Sequence, residues 1–457
     1  MEPTDDFHTD EELARRLQAE WDEEDQYYLS HGPSEEDEND EVPAPKLPPR
    51  PNLPPRPAAQ PRDAQHPNRR YPDVPLDATH QIRVLELQPG RYGGDIFCTL
   101  VVQDLDLSTQ PTIPDPKIKS RPEADFDKPE VWEEYRRQCA DPPYVALSYT
   151  WGDPKPEEQK PVNLHGIDGF SVTPNLHACL ARLRKREDAR RLWIDQLCIH
   201  QDNLEERAAQ VRAMAHIYAQ AIDVYVWLGD TTTLNELPNE ADGAWAYRRA
   251  VFDQLQEAVN RAASSWWTRA WVVQEFMMAR REPMMCFGLC QVRWSNLVET
   301  LFTISKERGG VGAPSADRFK HLAKGFWQEG RQVTIDPIKL LGSDLLNYAS
   351  MGLDSKEDKP FDRGPRGLAN YAWTFTQTQA KDPRDKVYSL YGLMTDDEKV
   401  RTTVDYSKDV VKVFSEATYT AMVVNGHLGF MRHVSSRKRS DPYLPSWAVD
   451  FASRRAF

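Results

Sequence analysis

A strand–helix–strand pattern in the middle of the chain constrains the fold more than any other feature. The apolar run from Leu192 to Asp195 predicts a strand with the carboxylate near its carboxyl end. Apolar residues at helical spacing follow from Leu204 to Ile222, and Asp202 with Glu205 fits a capping box at the start. A second apolar run, Ile222 to Leu228, predicts another strand. Because such units pair their strands in parallel with a right-handed crossover, the pattern predicts an α/β fold.

Further elements are predicted on the amino-terminal side of this unit. Apolar runs predict three strands, Ile82–Leu87, Phe97–Val102 and Tyr144–Tyr149. Thr173 followed by Pro174 is typical of a helix start. We expect the third of these strands to lie beside the two strands of the central unit. The ends of all three would then meet in one crevice, where ligands usually bind in such sheets.

The first part of the chain differs in composition from the rest. Through Glu41 it holds seventeen acidic residues and two basic ones, a net charge of −15, while the whole chain carries −14. The remaining residues therefore sum to about +1, which gives the folded part no basic field for nucleic acid. We predict a disordered acidic tail at 1–41, a proline-rich linker at 42–78, an α/β domain at 80–300 and a helical part at 301–457.

Cysteine usage and hydropathy predict the compartment. The six cysteines are spread along the chain without a CxxC pair, which indicates reduced thiols and neither a disulfide framework nor a zinc site. No apolar run approaches ~18 residues, and the acidic start lacks the basic and apolar regions of a signal peptide. We therefore expect a soluble, cytoplasmic protein with no bound metal and no membrane partner.

The acidic tail contains one helical pattern. Thr9 with Glu12 fits a capping box, and Leu13, Leu17 and Trp21 fall four residues apart on one stripe. With Ala14, this string resembles an inverted ubiquitin-interacting motif, in which a small alanine lets an apolar partner surface approach. The resemblance implies ubiquitin as a partner. The alternative is an acidic helix that packs on its own protein or coils with another.

The linker contains a hexad repeat of the form PxxPxR. Its anchor residues are Pro45, Pro48 and Arg50 in the first copy and Pro51, Pro54 and Arg56 in the second. A polyproline II helix has three residues per turn, so the prolines of each copy can enter an aromatic groove while the arginine meets an acidic pocket. We predict a ligand for a Src-homology 3 type domain, with a stiff spacer as the alternative.

Several blocks in the central part resemble heterokaryon incompatibility (HET) domains of fungal proteins. They are Tyr144–Gly152, Leu192–Gln201, Trp227–Gly229, Arg269–Glu275, Asp382–Tyr388 and Leu444–Trp447. Their fixed order is more specific than any lone motif. Two departures stand out: His200 occupies a position where asparagine is usual, and the chain ends soon after Trp447. The resemblance implies self/non-self recognition, with cell death or growth arrest as the outcome and possible self-association.

HET domains are remotely similar to TIR domains, some of which cleave NAD. That resemblance implies a TIR- or flavodoxin-like α/β fold, with a parallel-containing central sheet flanked by helices and with helical decorations. Ser265, Trp271 and Glu275 resemble the catalytic arrangement, with Glu275 one helical turn after the tryptophan. Glu275 could stabilise positive charge on the ribose as nicotinamide leaves, without any cofactor. The alternatives are an ion pair with Arg269 or Arg280, or a helix-surface carboxylate.

Other polar residues could line the same crevice. Asp195 is a ligand-contact candidate because a carboxylate in an apolar strand needs a partner; a helix cap or an ion pair with Arg207 would also provide one. Ser148, Trp151 and Asp153 end the Tyr144–Tyr149 strand and could join it, although packing is the favoured role for Trp151. The leading hypothesis is a HET-type signalling protein. The rivals are a TIR-like NAD glycohydrolase and a non-catalytic adaptor.

Overall fold

A computed structural model describes residues 71–108, 110–111, 114, 126–152, 155–231, 250, 253–254, 266, 269–294, 296–297, 367–374, 378–425 and 441–452. The predicted acidic helix, both PxxPxR hexads, Asp153 and Ser265 lie outside these residues.

The described residues form a single nine-stranded mixed sheet. Its strands are β1 Gln81–Leu87, β2 Phe97–Asp104, β3 Val145–Tyr149, β4 Lys160–Leu164, β5 Ile167–Val172, β6 Arg190–Trp193, β7 Asp223–Gly229, β8 Met284–Phe287 and β9 Cys290–Arg293. They lie in the order β5-β4-β2-β1-β6-β3-β7-β8-β9. The central strands β6, β3, β7 and β8 pair in parallel, and β1 and β9 flank them in antiparallel orientation.

The three strands expected side by side are neighbours, which confirms the predicted centre of an α/β fold. Strand β3 lies between the two strands of the central unit: Ala146 faces Trp193 of β6, and Ser148 faces Val226 of β7. The crossover therefore skips one strand. Most residues of β3 and β7 are buried, as is usual for the central strands of a parallel sheet.

Nine α-helices surround or extend the sheet in the described part of the chain. They are α1 Pro129–Arg136, α2 Pro174–Leu183, α3 Asp195–Cys198, α4 Leu204–Gln220, α5 Val272–Met278, α6 Gly367–Thr374, α7 Asp385–Tyr388, α8 Asp396–Arg401 and α9 Val410–Asn425. The predicted cap of α2 is confirmed, since the Thr173 side chain accepts the Leu176 amide at 3.3 Å.

Two details of the central unit were predicted wrongly. Strand β6 ends at Trp193, so Asp195 lies outside the strand and begins the one-turn helix α3. The Asp195 carboxylate accepts a hydrogen bond from the backbone amide of Gln196 at 2.7 Å. Such a local bond favours a turn over a continued strand. The N-cap of α4 is Asn203 and not the predicted Asp202. The Asn203 side chain accepts the Glu206 amide at 3.1 Å.

The end of the predicted linker is packed against the fold. The Tyr71 hydroxyl donates to the Leu197 carbonyl at 2.7 Å, and its ring stacks on His200 with centroids 4.7 Å apart. Beneath this contact, Arg83 and Glu206 form a buried ion pair at 2.6 Å, and Glu206 also accepts the His200 amide at 2.7 Å. These contacts fix the segment before β1 to the turn that follows β6.

The C-terminal part packs against α4 and α5. The Gly392 amide donates to the Gln274 side-chain oxygen at 2.9 Å. A Cβ atom at Gly392 would lie 2.5 Å from the Ala215 Cβ and 2.7 Å from that same oxygen. Glycine is therefore required here because the backbone approaches two helices closely.

Candidate functional site

A buried polar network lies at the carboxyl end of β3. Ser148, in that strand, donates its hydroxyl proton to the Glu275 carboxylate, in a short hydrogen bond. The Trp266 indole donates to the Ser148 hydroxyl at 2.8 Å. Each of these three residues is at most 3% exposed. The strand end and helix α5 therefore bring a carboxylate, a hydroxyl and an indole together away from bulk water.

Arg269 lies between two carboxylates. Its guanidinium is 3.6 Å from Glu275 and 3.9 Å from Asp195, and it also donates to the Tyr149 carbonyl. Of the two arginines considered as partners for Glu275, the structure pairs it with Arg269. Arg280 instead donates to the Gln138 side chain at 2.7 Å and to the carbonyl of Ala219.

Asp195 lies at the less buried side of the same network. The Trp151 indole donates to its carboxylate oxygens, at 2.9 and 3.0 Å. The expected alternative pairing with Arg207 is wrong, because that arginine lies 3.8 Å from Asp382. Side chains of both Asp195 and Arg269 are 17% exposed. They are therefore the charged groups of the network that solvent reaches.

Burial changes the acidity of both carboxylates. Loss of hydration raises the pKa of Glu275 from its ordinary 4.5 to about 7, while Arg269 and the Ser148 hydrogen bond oppose the rise. Loss of hydration also raises the pKa of Asp195, against the effects of Arg269 and the Trp151 indole. A single arginine is thus shared by two carboxylates, and Glu275 can exchange a proton near neutral pH.

The Trp271 carbonyl accepts the Glu275 amide at 3.1 Å, but the Trp271 side chain is not the indole bonded to the Glu275–Ser148 pair. Its indole interacts with Asp385 of α7, and Trp266 occupies the position beside Ser148. The sequence reasoning missed Trp266 because it followed the spacing of one tryptophan to the glutamate. The Ser-Trp-Trp run before Arg269 was the signal that could have identified a second candidate.

Other chemistry is weakly supported among the described residues. Burial raises the pKa of the Cys198 thiol to about 12, and His200 stacks on Tyr71, so the two do not form an activated thiol–imidazole pair. The described part contains no group of three or more His, Cys, Asp or Glu residues placed to hold a metal. None of its helices combines the length and apolar character needed to cross a bilayer.

An open cavity of about 500 Å³ lies elsewhere, along β2 and the β4–β5 hairpin. Phe97, Asn163 and His165 are among its lining residues, and no residue of the Glu275 network lines it. The strand ends, where the buried charges meet, are therefore the stronger candidate for chemistry.

Comparison with known proteins matches the part of the chain that contains the buried network. A family model described as "Heterokaryon incompatibility protein (HET)" matches residues 144–275, which run from the residue before β3 to Glu275. The chain is 24% identical to "Heterokaryon incompatibility protein 6, OR allele" of Neurospora crassa, over 84% of this chain and 60% of that protein. It is 30% identical to "Vegetative incompatibility protein HET-E-1" of Podospora anserina, over 30% of this chain and 9% of that protein. No solved structure gives a significant match.

Proposed function

We propose that this chain, a heterokaryon incompatibility (HET) domain protein, acts in self/non-self recognition. Its activation would arrest growth or kill the cell. The observation that carries the proposal is the similarity to an incompatibility protein over 84% of the chain, together with the family match across the buried network. The chain spans 60% of the length of the first relative and 9% of the second, so their whole activities are not transferred to it.

Induced expression in a filamentous fungal host tests this proposal. The full chain should stop colony extension and admit a membrane-impermeant dye. Arg269→Gln should prevent both effects because it leaves Glu275 and Asp195 without their shared cation. Arg280→Gln is the matched control, since that arginine bonds away from the network. Normal growth of cells that accumulate the intact wild-type chain would refute the proposal.

A second candidate function is hydrolysis of NAD at the nicotinamide glycosidic bond, in the manner of some TIR domains. The raised pKa of Glu275, in a site shielded from water at the strand ends, favours it. In this reaction nicotinamide leaves with the electron pair of the broken bond, water adds to the ribose carbon and a proton is released. The ionised Glu275 carboxylate would stabilise the positive charge that develops on the ribose. Arg269 would need to turn toward a phosphate to leave that carboxylate free.

Nicotinamide release from NAD by the purified chain tests this candidate. Glu275→Gln keeps the shape of the side chain and should lower the rate by on the order of 100-fold. Glu206→Gln is the matched control, because Glu206 is also a buried, arginine-paired glutamate but lies outside the network. Absence of nicotinamide release from the wild-type chain at every concentration would exclude the enzymatic candidate.

The tail would connect this core to partners. We propose that Leu13, Ala14 and Leu17 contact ubiquitin and that the two PxxPxR hexads bind a Src-homology 3 type domain. Ala14→Arg should abolish ubiquitin pull-down, and an unchanged pull-down would discard the motif. The adaptor alternative, self-association, a cytoplasmic location and the boundaries at 41, 78 and 300 stay predictions.

A further inference from the structure

Helix α5, which carries Glu275, is held from two sides. It has seven residues, and a helix that short is not stable without tertiary contacts. Glu275 faces β3, where it meets Ser148. Gln274 precedes it by one residue and therefore points about 100° away around the helix. The position of Glu275 thus depends on what Gln274 contacts.

Gln274 contacts the C-terminal part of the chain. It is fully buried, and its side-chain oxygen accepts the Gly392 amide at 2.9 Å. Among the described residues, its side-chain nitrogen has no hydrogen-bond partner. Rotating the amide would place that nitrogen against the Gly392 N–H, so the contact fixes the orientation of the group. Burying an amide with one group unpaired costs free energy, and this cost is consistent with a role other than simple packing.

Two neighbouring contacts attach the same C-terminal segment to the residues before α5. Arg269 and Gln379 form a parallel backbone bridge, and the Ala270 amide donates to the Gln379 carbonyl at 2.9 Å. The Trp271 indole interacts with Asp385. Residues 378–393, which lie beyond the matched region 144–275, therefore touch the segment that carries Arg269 and Glu275 at three successive places.

We propose that Gln274 is a positioning residue for Glu275, through which residues 378–393 hold α5 against β3. The functional unit then extends at least to Gly392. The proposal rests on the role proposed for Glu275, but its structural part is testable without any activity. Loss of the Gln274–Gly392 bond would loosen α5, admit water to Glu275 and lower the pKa of its carboxyl toward the ordinary value.

Gln274→Met removes the acceptor at nearly constant volume and leaves the Gly392 N–H unpaired. Gln210→Met is the matched control, because Gln210 is also fully buried. Its side-chain nitrogen donates to the Gln81 carbonyl at 2.8 Å, and its side-chain oxygen has no partner in the part of the chain that the structure describes. Hydrogen exchange of the α5 amides in the full chain should become about tenfold faster in Gln274→Met than in Gln210→Met. The midpoint of Glu275 ionisation should fall in the first variant alone.

Two results would overturn the proposal. One is unchanged exchange in α5 of Gln274→Met. The other is acceleration spread equally over the sheet in both variants, which would indicate general destabilisation. Should Gln274→Met fail to fold, hydrogen exchange of the wild-type chain still tests the proposal. The Gly392 amide and the α5 amides should exchange at matching rates, because they open as one unit. A much faster Gly392 amide would refute the coupling. If exchange behaves as expected while no NAD is cleaved, the enzymatic candidate fails and the positioning role stands.

Discussion

Replacing Glu275 with glutamine should make the stability of the protein less dependent on pH. The folded protein raises the pKa of Glu275 from 4.5 to about 7. Between these pH values the folded state binds the proton and the unfolded state releases it, so this residue's contribution to stability is complete below 4.5 and is lost as pH rises through about 7. At about 1.4 kcal/mol per pH unit, the loss amounts to about 3 kcal/mol.

Glutamine does not ionise, so the Glu275→Gln protein should escape this loss. The free energies of unfolding of both proteins are measured in urea from pH 5 to pH 8, with equal m-values as the condition for comparison. Their difference should shift by about 2–3 kcal/mol in favour of the variant as pH rises over this range. Asp195 titrates in both proteins, so its effect largely cancels. A difference that stays constant over this range would refute the reasoning and make Glu275 an ordinary ion-paired carboxylate.

Three further substitutions test the packing around the network. Gly392→Ala should cost about 1–3 kcal/mol of unfolding free energy, because its Cβ would meet two packed helices. Gly94→Ala is the control and should be near neutral, since a Cβ there has no contact closer than 3.4 Å. Equal losses of the two variants in urea unfolding would contradict this prediction. Arg83→Met should lower the free energy of unfolding by about 3–5 kcal/mol, since it leaves the buried Glu206 carboxylate without its cation. The double variant with Glu206→Leu should recover most of this loss in the same assay. Thr173→Ala should lower the free energy of unfolding by about 1 kcal/mol through loss of the α2 cap, and an unchanged value would show that the cap bond is dispensable.

The sequence predicted the centre of the fold because its strands are short apolar runs separated by a helical pattern. It could not place β3 between β6 and β7, since adjacency of strands distant in sequence depends on packing of the whole sheet. Asp195 was assigned to a strand because the apolar run reaches Ile194. The turn is held by local bonds, from the Leu197 and Cys198 amides to the Ile194 carbonyl and from the Gln196 amide to the Asp195 carboxylate, which hydrophobic periodicity does not reveal.

The candidate site was partly predictable. Ser148, Trp151, Asp195 and Glu275 were chosen separately, and the structure joins all four through Arg269. Trp271 was chosen for its spacing to Glu275, but spacing on one helix does not show which neighbour faces the sheet. The role proposed for Gln274 was out of reach, because its partner Gly392 lies 118 residues further along the chain.

The contact between Tyr71 and His200 limits how far from the folded core a partner bound to the linker can lie. Arg56, the last residue of the second hexad, precedes Tyr71 by fifteen residues, and a chain of that length reaches at most about 50 Å. A domain docked on the hexads would therefore stay within about 50 Å of the turn that carries Asp195. Its local concentration around the strand ends would be raised whether or not it touches them.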